Sequence, residues 1–180
     1  MNELASRYAS ALVSLAKEEQ KLESYKLAVL SIQETFNLNE ELLIYLKSYF
    51  VKEDEKYLVI EELTKEYELK NLTNFLKLLI NKHKIYLFKE IANEISKEIN
   101  FELDIYEGFI YSTEPLENSK INDISAVISK KIGTKVELKN KLDNRLIGGV
   151  KVVVHDHVFD GSIKHKIETM KEQLKERRNG

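Results

Sequence analysis

The stretch D-N-R-L-I-G-G-V-K-V-V-V-H-D-H-V-F-D-G-S, from Asp143 to Ser162, decides how the second half of this chain folds. Val150, Val152 and Val154 alternate with Lys151, Val153 and His155, the period of two that a strand with one buried face requires. His155-Asp156-His157 predicts a turn, Val158-Phe159 the returning strand, and Asp160-Gly161 a tight bend. Ser162 then stands where a hydroxyl can cap a final helix with the apolar stripe Ile163, Ile167, Met170 and Leu174. Lys175, Arg177 and Arg178 complement the dipole at that helix's end. Gly148-Gly149 precedes a strand, so it reads as a bulge or a close backbone approach. A phosphate cradle would set its glycines between a strand and a helix N-terminus.

Upstream, the same alternation runs through Tyr106, Gly108, Ile110 and Ser112, with Glu107, Phe109, Tyr111 and Thr113 facing the other way. This predicts a strand that ends before Pro115, the only proline. Ser119 is expected to cap a helix that turns Ile121, Ile124, Ile128 and Ile132 inward, and Gly133 fits the left-handed residue after it. Val136 and Leu138 alternate with charges over Lys135 to Lys139, a second strand. Residues 106–180 thus read as a small α+β domain in the order strand, helix, strand, hairpin, helix.

Residues 1–105 read as helix throughout, which makes the whole protein mainly α. The first helix runs from about Glu3 to Glu19. Its apolar positions (Leu4, Ala5, Tyr8, Ala9, Ala11, Leu12, Val13, Leu15, Ala16) cover about half its circumference, wider than the stripe of about 100° that one core contact needs. Helix two, Leu22 to about Phe36, carries Tyr25, Val29 and Ile32. Asn39 is expected to cap helix three, whose inner face is Leu42, Leu43, Leu46 and Tyr49. Helix four spans about Glu53 to Tyr67 and buries Tyr57, Ile60 and Leu63. Asn71 is expected to cap helix five, where Leu72, Phe75, Leu76, Leu79 and Ile80 share one face and Leu78 falls outside it. The sixth and longest helix is expected from Ile85 to Leu103, with Phe88, Ile91, Ile95 and Ile99 inward. Six helices joined by short links make a bundle. The surplus face of helix one and the off-face Leu78 together suggest a docking groove.

Charge and composition narrow the function. Residues 1–105 hold 14 Lys+Arg against 19 Asp+Glu, and residues 106–180 hold 14 against 11, for a net −2 overall. A duplex-binding domain shows a clustered basic face and a basic pI, whereas the pI here is about 6.2 with Lys and Glu interleaved; nucleic acid is therefore not an expected partner. No cysteine is present, which removes disulfides, thiolate metal sites and a cysteine nucleophile. The N-terminus lacks the basic and apolar regions of a signal peptide. No apolar run approaches the ~20 residues that cross a bilayer.

The sharpest catalytic reading is a metal-dependent enzyme centred on His155, His157 and Asp160, since alternating histidines on a strand suit zinc. No further ligand stands at a firm spacing, and a hairpin turn accounts for these residues. Ser162 lacks a G-x-S-x-G surround and is accounted for as a cap. No catalytic residue, metal site or cofactor is expected.

Two motifs at opposite ends carry a resemblance. Arg7-Tyr8-Ala9-Ser10-Ala11-Leu12, followed by Leu15-Ala16-Lys17-Glu18, resembles the opening of the delta subunit of bacterial F-type ATP synthase, the counterpart of the mitochondrial oligomycin-sensitivity-conferring protein. Asp143, Leu146-Ile147-Gly148-Gly149, Asp156 and Asp160-Gly161-Ser162 resemble that family's C-terminal motif. Departures are Arg145 in place of a small polar residue, His155 in place of a glycine, and Lys84 in place of an arginine. The resemblance implies a non-catalytic stator subunit, one copy per complex, on the cytoplasmic face of a bacterial membrane that it reaches only through the complex. The N-terminal domain would bind N-terminal helices of alpha subunits, with Tyr8, Ala11, Leu12 and Leu78 placed at that contact. The C-terminal domain would bind the b subunits of the peripheral stalk. Coupling of proton or other ion transport to ATP synthesis would pass through this link.

Overall fold

The structure is a computed structural model that describes residues 2–178, with side chains through residue 171. The chain divides into two compact units, Met1–Ile99 and Asn100–Gly180, a division that falls inside the last helix of the bundle rather than at Tyr106.

The first unit is built from α1 (Glu3–Glu18), α2 (Leu22–Leu38), α3 (Glu40–Lys47), α4 (Glu53–Thr64), α5 (Lys70–Asn81) and α6 (Phe88–Glu102), whose end passes into the second unit. Short 3-10 turns at Lys65–Tyr67 and Ile85–Leu87 follow α4 and precede α6. That second turn shortens the sixth helix to 15 residues, so the 17-residue α2 is longer. The core is the apolar faces expected from periodicity: Leu12, Tyr25, Ile32, Leu46, Ile60, Leu72, Leu76, Phe88, Ile91, Ile95 and Ile99 are all sealed from water. Ala5, Ala9 and Ala16 on α1 are buried as well, and side chains this small let neighbouring helices approach α1 closely. Tyr57 and Leu63 are only half-buried.

Three details of this unit differ from expectation. Asn39 does not cap α3; its carboxamide donates to the Thr35 carbonyl at 3.1 Å and closes α2 instead. Asn71 does not cap α5, which begins one residue earlier at Lys70, and its side chain serves a long-range contact described below. Tyr49 does not lie on the inner face of α3. That helix ends at Lys47, where Ser48 turns extended at ψ 134° and its carbonyl accepts the buried Lys56 ammonium at 2.5 Å, and Tyr49 is left 79% exposed with its ring 4.9 Å from that of His83.

In the second unit, β1 (Ile105–Ser112), α7 (Asn118–Ile132), β2 (Lys135–Leu142), β3 (Val150–Val154), β4 (His157–Asp160) and α8 (Ile163–Arg178) follow in the expected order. The sheet order is β2-β1-β3-β4, with β1 parallel to β2 and the other pairs antiparallel. Pairing of Ile110 with Val152 and Gly108 with Val154 sets the alternating apolar residues on one face. There Ile110, Ile128, Val136, Leu138, Val152 and Val154 form the core, with Ile121, Ile124 and Ile132 of α7 packed against it. Gly133 ends α7 at φ +85°, its N–H bonded to the Ser129 carbonyl at 2.8 Å. Ser119 does not cap α7; the helix starts one residue earlier, which leaves Ser119 inside its first turn.

Candidate functional site

In the first unit the residues of α1 that exceed its core face line an open apolar groove of about 700 Å³. Leu4, Tyr8, Ala11 and Leu15 form one wall, at steps of four, three and four along α1. Asn71, Asn74, Phe75 and Leu78 form the facing wall on α5. The α1 wall covers about three helical turns, or ~16 Å at 1.5 Å per residue. Leu12 is its floor, 1% exposed, while Leu78 at the rim keeps 44% of its surface in water and Leu15 37%. The Tyr8 ring meets Phe75 edge to face at 6.2 Å, which ties the two walls together.

The structure therefore brings all four sequence-predicted residues, Tyr8, Ala11, Leu12 and Leu78, to one groove. Phe75 was expected only in the core, and it serves both surfaces. The far end is fixed by polar groups. Glu19, just past α1, accepts hydrogen bonds from the Asn71 carboxamide at 2.5 Å and the Tyr25 hydroxyl at 3.0 Å. Burial, reinforced by the bond to Glu19, pushes the Tyr25 phenol well above its usual range, so it stays a neutral donor. This clamp sets the spacing of α1 and α5. Its only sequence signal was polar residues near helix ends, which read equally well as caps.

The second motif converges in the other unit. Gly149 has φ +80° and lies against the backbone of Gly161 and Ser162. The Gly161 N–H donates to the Val150 carbonyl at 2.9 Å and the Ile163 N–H to the Gly148 carbonyl at 3.0 Å. The glycine pair is thus a close approach of two chain segments. Ser162 accepts the His165 N–H at 3.2 Å as the cap of α8, and Asp160 accepts the Ser162 N–H at 2.9 Å. Those bonds to Ser162 hold the Asp160 carboxyl below the usual carboxylate range. Leu146 is half-buried and its N–H bonds to the Asp143 carbonyl at 3.2 Å; Ile147 is exposed, and Asp156 is exposed in the hairpin turn.

Asp143 is joined to the end of β1 through its N–H on the Ser112 carbonyl, 2.9 Å. Its carboxylate takes both Nε and a terminal nitrogen of Arg145 at 2.9 Å, and the Arg145 backbone N–H at 3.0 Å. The Arg145 side chain, first among these, holds the Asp143 carboxyl at about 2. A carboxyl depressed in the folded state stabilises above its ordinary value of 3.8, and that contribution is lost as pH falls towards 2. Arg145→Ala is expected to raise the Asp143 midpoint most of the way to 3.8, the residual shift coming from the retained backbone N–H. Carboxyl-carbon NMR titration reads this directly, and an unmoved midpoint would contradict the assignment.

The residues of the metal reading are engaged separately. His155 sits in the turn at φ 47° with its ring 4.7 Å from that of Tyr106, His157 stacks on Phe159 at 6.2 Å, and Asp160 is tied to Ser162. Among the described residues no group of three or more His, Asp or Glu side chains is disposed to hold a metal ion.

Comparison with known proteins agrees with both motifs. The sequence matches the family described as ATP synthase delta (OSCP) subunit over residues 4–174. It is 36% identical to the ATP synthase subunit delta of Mycoplasma mycoides subsp. mycoides over 172 residues, covering 94% of each chain. It is 33% identical to that of Alkaliphilus oremlandii over 175 residues, covering 97% of each. The fold is similar to a chain in the cryo-EM structure of the Toxoplasma gondii mitochondrial ATP synthase hexamer, with a TM-score of 0.63 at 20% identity, over 96% of this chain and 98% of that one. The chain belongs to the ATP synthase delta (OSCP) subunit family.

Proposed function

We propose that this chain is the non-catalytic stator subunit of an F-type ATP synthase, joining the top of the catalytic head to the peripheral stalk so that rotation driven by ion flow is coupled to ATP synthesis. The observation that carries this reading is the family match across both compact units. Static load between two large assemblies calls for wide packing contacts, and an apolar groove supplies one where a reactive cleft would not.

In this reading the first unit receives the N-terminal helix of an alpha subunit between α1 and α5. Walls spaced at helical intervals, apolar along about three turns, fit a helix-in-groove contact. The exposed Arg7 at the rim, which bonds to no other described residue, suits an acidic group on the incoming helix. The second unit contacts the b subunits. One copy serves each complex, on the cytoplasmic face of a bacterial membrane and held there by its partners; no helix among the described residues is long and apolar enough to cross a bilayer.

Reconstitution tests this. Adding the chain to an ATP synthase preparation stripped of its delta subunit is expected to restore ion-driven ATP synthesis while leaving ATP hydrolysis by the isolated head unchanged. Failure to bind the head or to restore coupling would overturn the reading, and a direct change in the head's own hydrolysis rate would remove its non-catalytic part.

A further inference from the structure

The last helix keeps much of an apolar stripe in water. Ile163, Ile167 and Met170 of α8 stay 46%, 42% and 62% exposed. Their spacing of four then three is that of the d, a and d positions of a heptad seam, and Leu174 continues it in the sequence. In that register the e and g positions beside the seam are Lys164, Lys166 and Lys171. All three are exposed, and none forms an ion pair with a described residue. His165 and Glu168 fall on the opposite side, at f and b.

We propose that α8 pairs along its length with a partner helix through this seam, and that it selects the partner by acidic residues at the flanking positions. Parallel pairing sets g against e, and antiparallel pairing sets g against g and e against e. Every described charged flank on α8 is a lysine, so either orientation demands Glu or Asp from the partner. The same lysines oppose pairing with a second copy of α8, which would stack like charge on like charge. This deepens the stalk contact proposed above and rests on it for which protein supplies the helix, though not for the chemistry of the seam.

The test uses the full chain and two designed helical peptides that share Leu and Ile at a and d but carry either Glu or Lys at every e and g. Fluorescence anisotropy is expected to show the Glu peptide bound roughly tenfold or more tightly than the Lys peptide, the sum of three modest charge pairs. Salt should narrow the difference. The triple variant Lys164→Glu, Lys166→Glu, Lys171→Glu should reverse the preference. Two of its glutamates lie in the first turn, where the helix dipole favours acid, so α8 keeps its fold, which circular dichroism checks. Met170→Glu should lose both peptides. Equal binding of the two peptides, or an unreversed preference, overturns the proposal. A parallel titration with the soluble part of the b subunits separates the two readings: binding that ignores the triple variant leaves the stalk contact standing and removes the charged seam, whereas no binding to the native chain removes the stalk contact.

Discussion

Gly149→Ala is expected to destabilise the second unit by about 3 kcal/mol, whereas Gly148→Ala next to it costs under about 1 kcal/mol. The difference lies in backbone geometry. Gly149 holds φ +80°, a left-handed conformation that costs an L-residue about 1–2 kcal/mol. A Cβ there would also stand 2.6 Å from the Gly161 carbonyl oxygen and 3.1 Å from the Ser162 Cα, both rigid backbone atoms. Relief requires the two segments to separate. That weakens the Gly161 to Val150 and Ile163 to Gly148 hydrogen bonds, each worth about 1 kcal/mol. A Cβ on Gly148 meets only the Ile163 Cδ1 at 2.9 Å, the far end of a side chain that can rotate away. A unit of this size holds only about 5–10 kcal/mol in all, so the first change is severe and the second mild. Denaturant unfolding gives both values. Hydrogen exchange should show the first turn of α8 deprotected in Gly149→Ala alone, and equal stabilities for the two variants would refute the close-approach account.

That contrast also shows how far a sequence carries. Gly148-Gly149 announced a bulge or a close approach because glycines ahead of a strand have few other uses, but which of the two it was, which segment came near and which glycine bore the strain depended on a contact with residues 161–163. Periodicity gave the strands, the helices and their inward faces, since burying an apolar stripe is a local demand repeated along the element. The excess apolar width of α1 and the misplaced Leu78 pointed to the groove for the same reason: a face larger than the core can cover must meet something else. Caps were less legible. Asn39, Asn71 and Ser119 each had the right chemistry for an N-cap, yet a helix that begins ahead of the residue, as at Asn71 and Ser119, or a rival acceptor such as Glu19 or the Thr35 carbonyl, redirected them. Tyr49 was missed because α3 ends two residues before it, at an extended Ser48 whose carbonyl is held by Lys56, a side chain from the next helix that no local pattern reveals. For α8 the stripe was visible and its exposure was not. Spacing shows that a face is apolar, and only the fold shows how much of it stays in water.

Leu78→Asp is expected to weaken binding of an alpha-subunit N-terminal peptide at least about 100-fold, with little change in the fold. Leu78 is close to half exposed on the groove rim, so a carboxylate there stays hydrated in the free protein. Its cost in the last turn of α5, from helix propensity and the helix dipole, is about 1 kcal/mol, and far-ultraviolet circular dichroism should be unchanged. Docking a helix would strip water from that charge against Leu15, Phe75 and the apolar face of the ligand. Burying an unpaired carboxylate in such a contact costs several kcal/mol, of which about 2.7 suffices for a 100-fold loss. Leu78→Ala removes packing without adding charge and should lose roughly tenfold, which separates lost contact from buried charge. Ala11→Phe, on the facing wall, should fill the groove and block the peptide while leaving Leu78 in place. Calorimetric titration of the peptide into each variant measures all three. If Leu78→Asp and Ala11→Phe both bind within threefold of the native chain, the alpha-subunit helix docks elsewhere on this unit and the groove between α1 and α5 has another occupant.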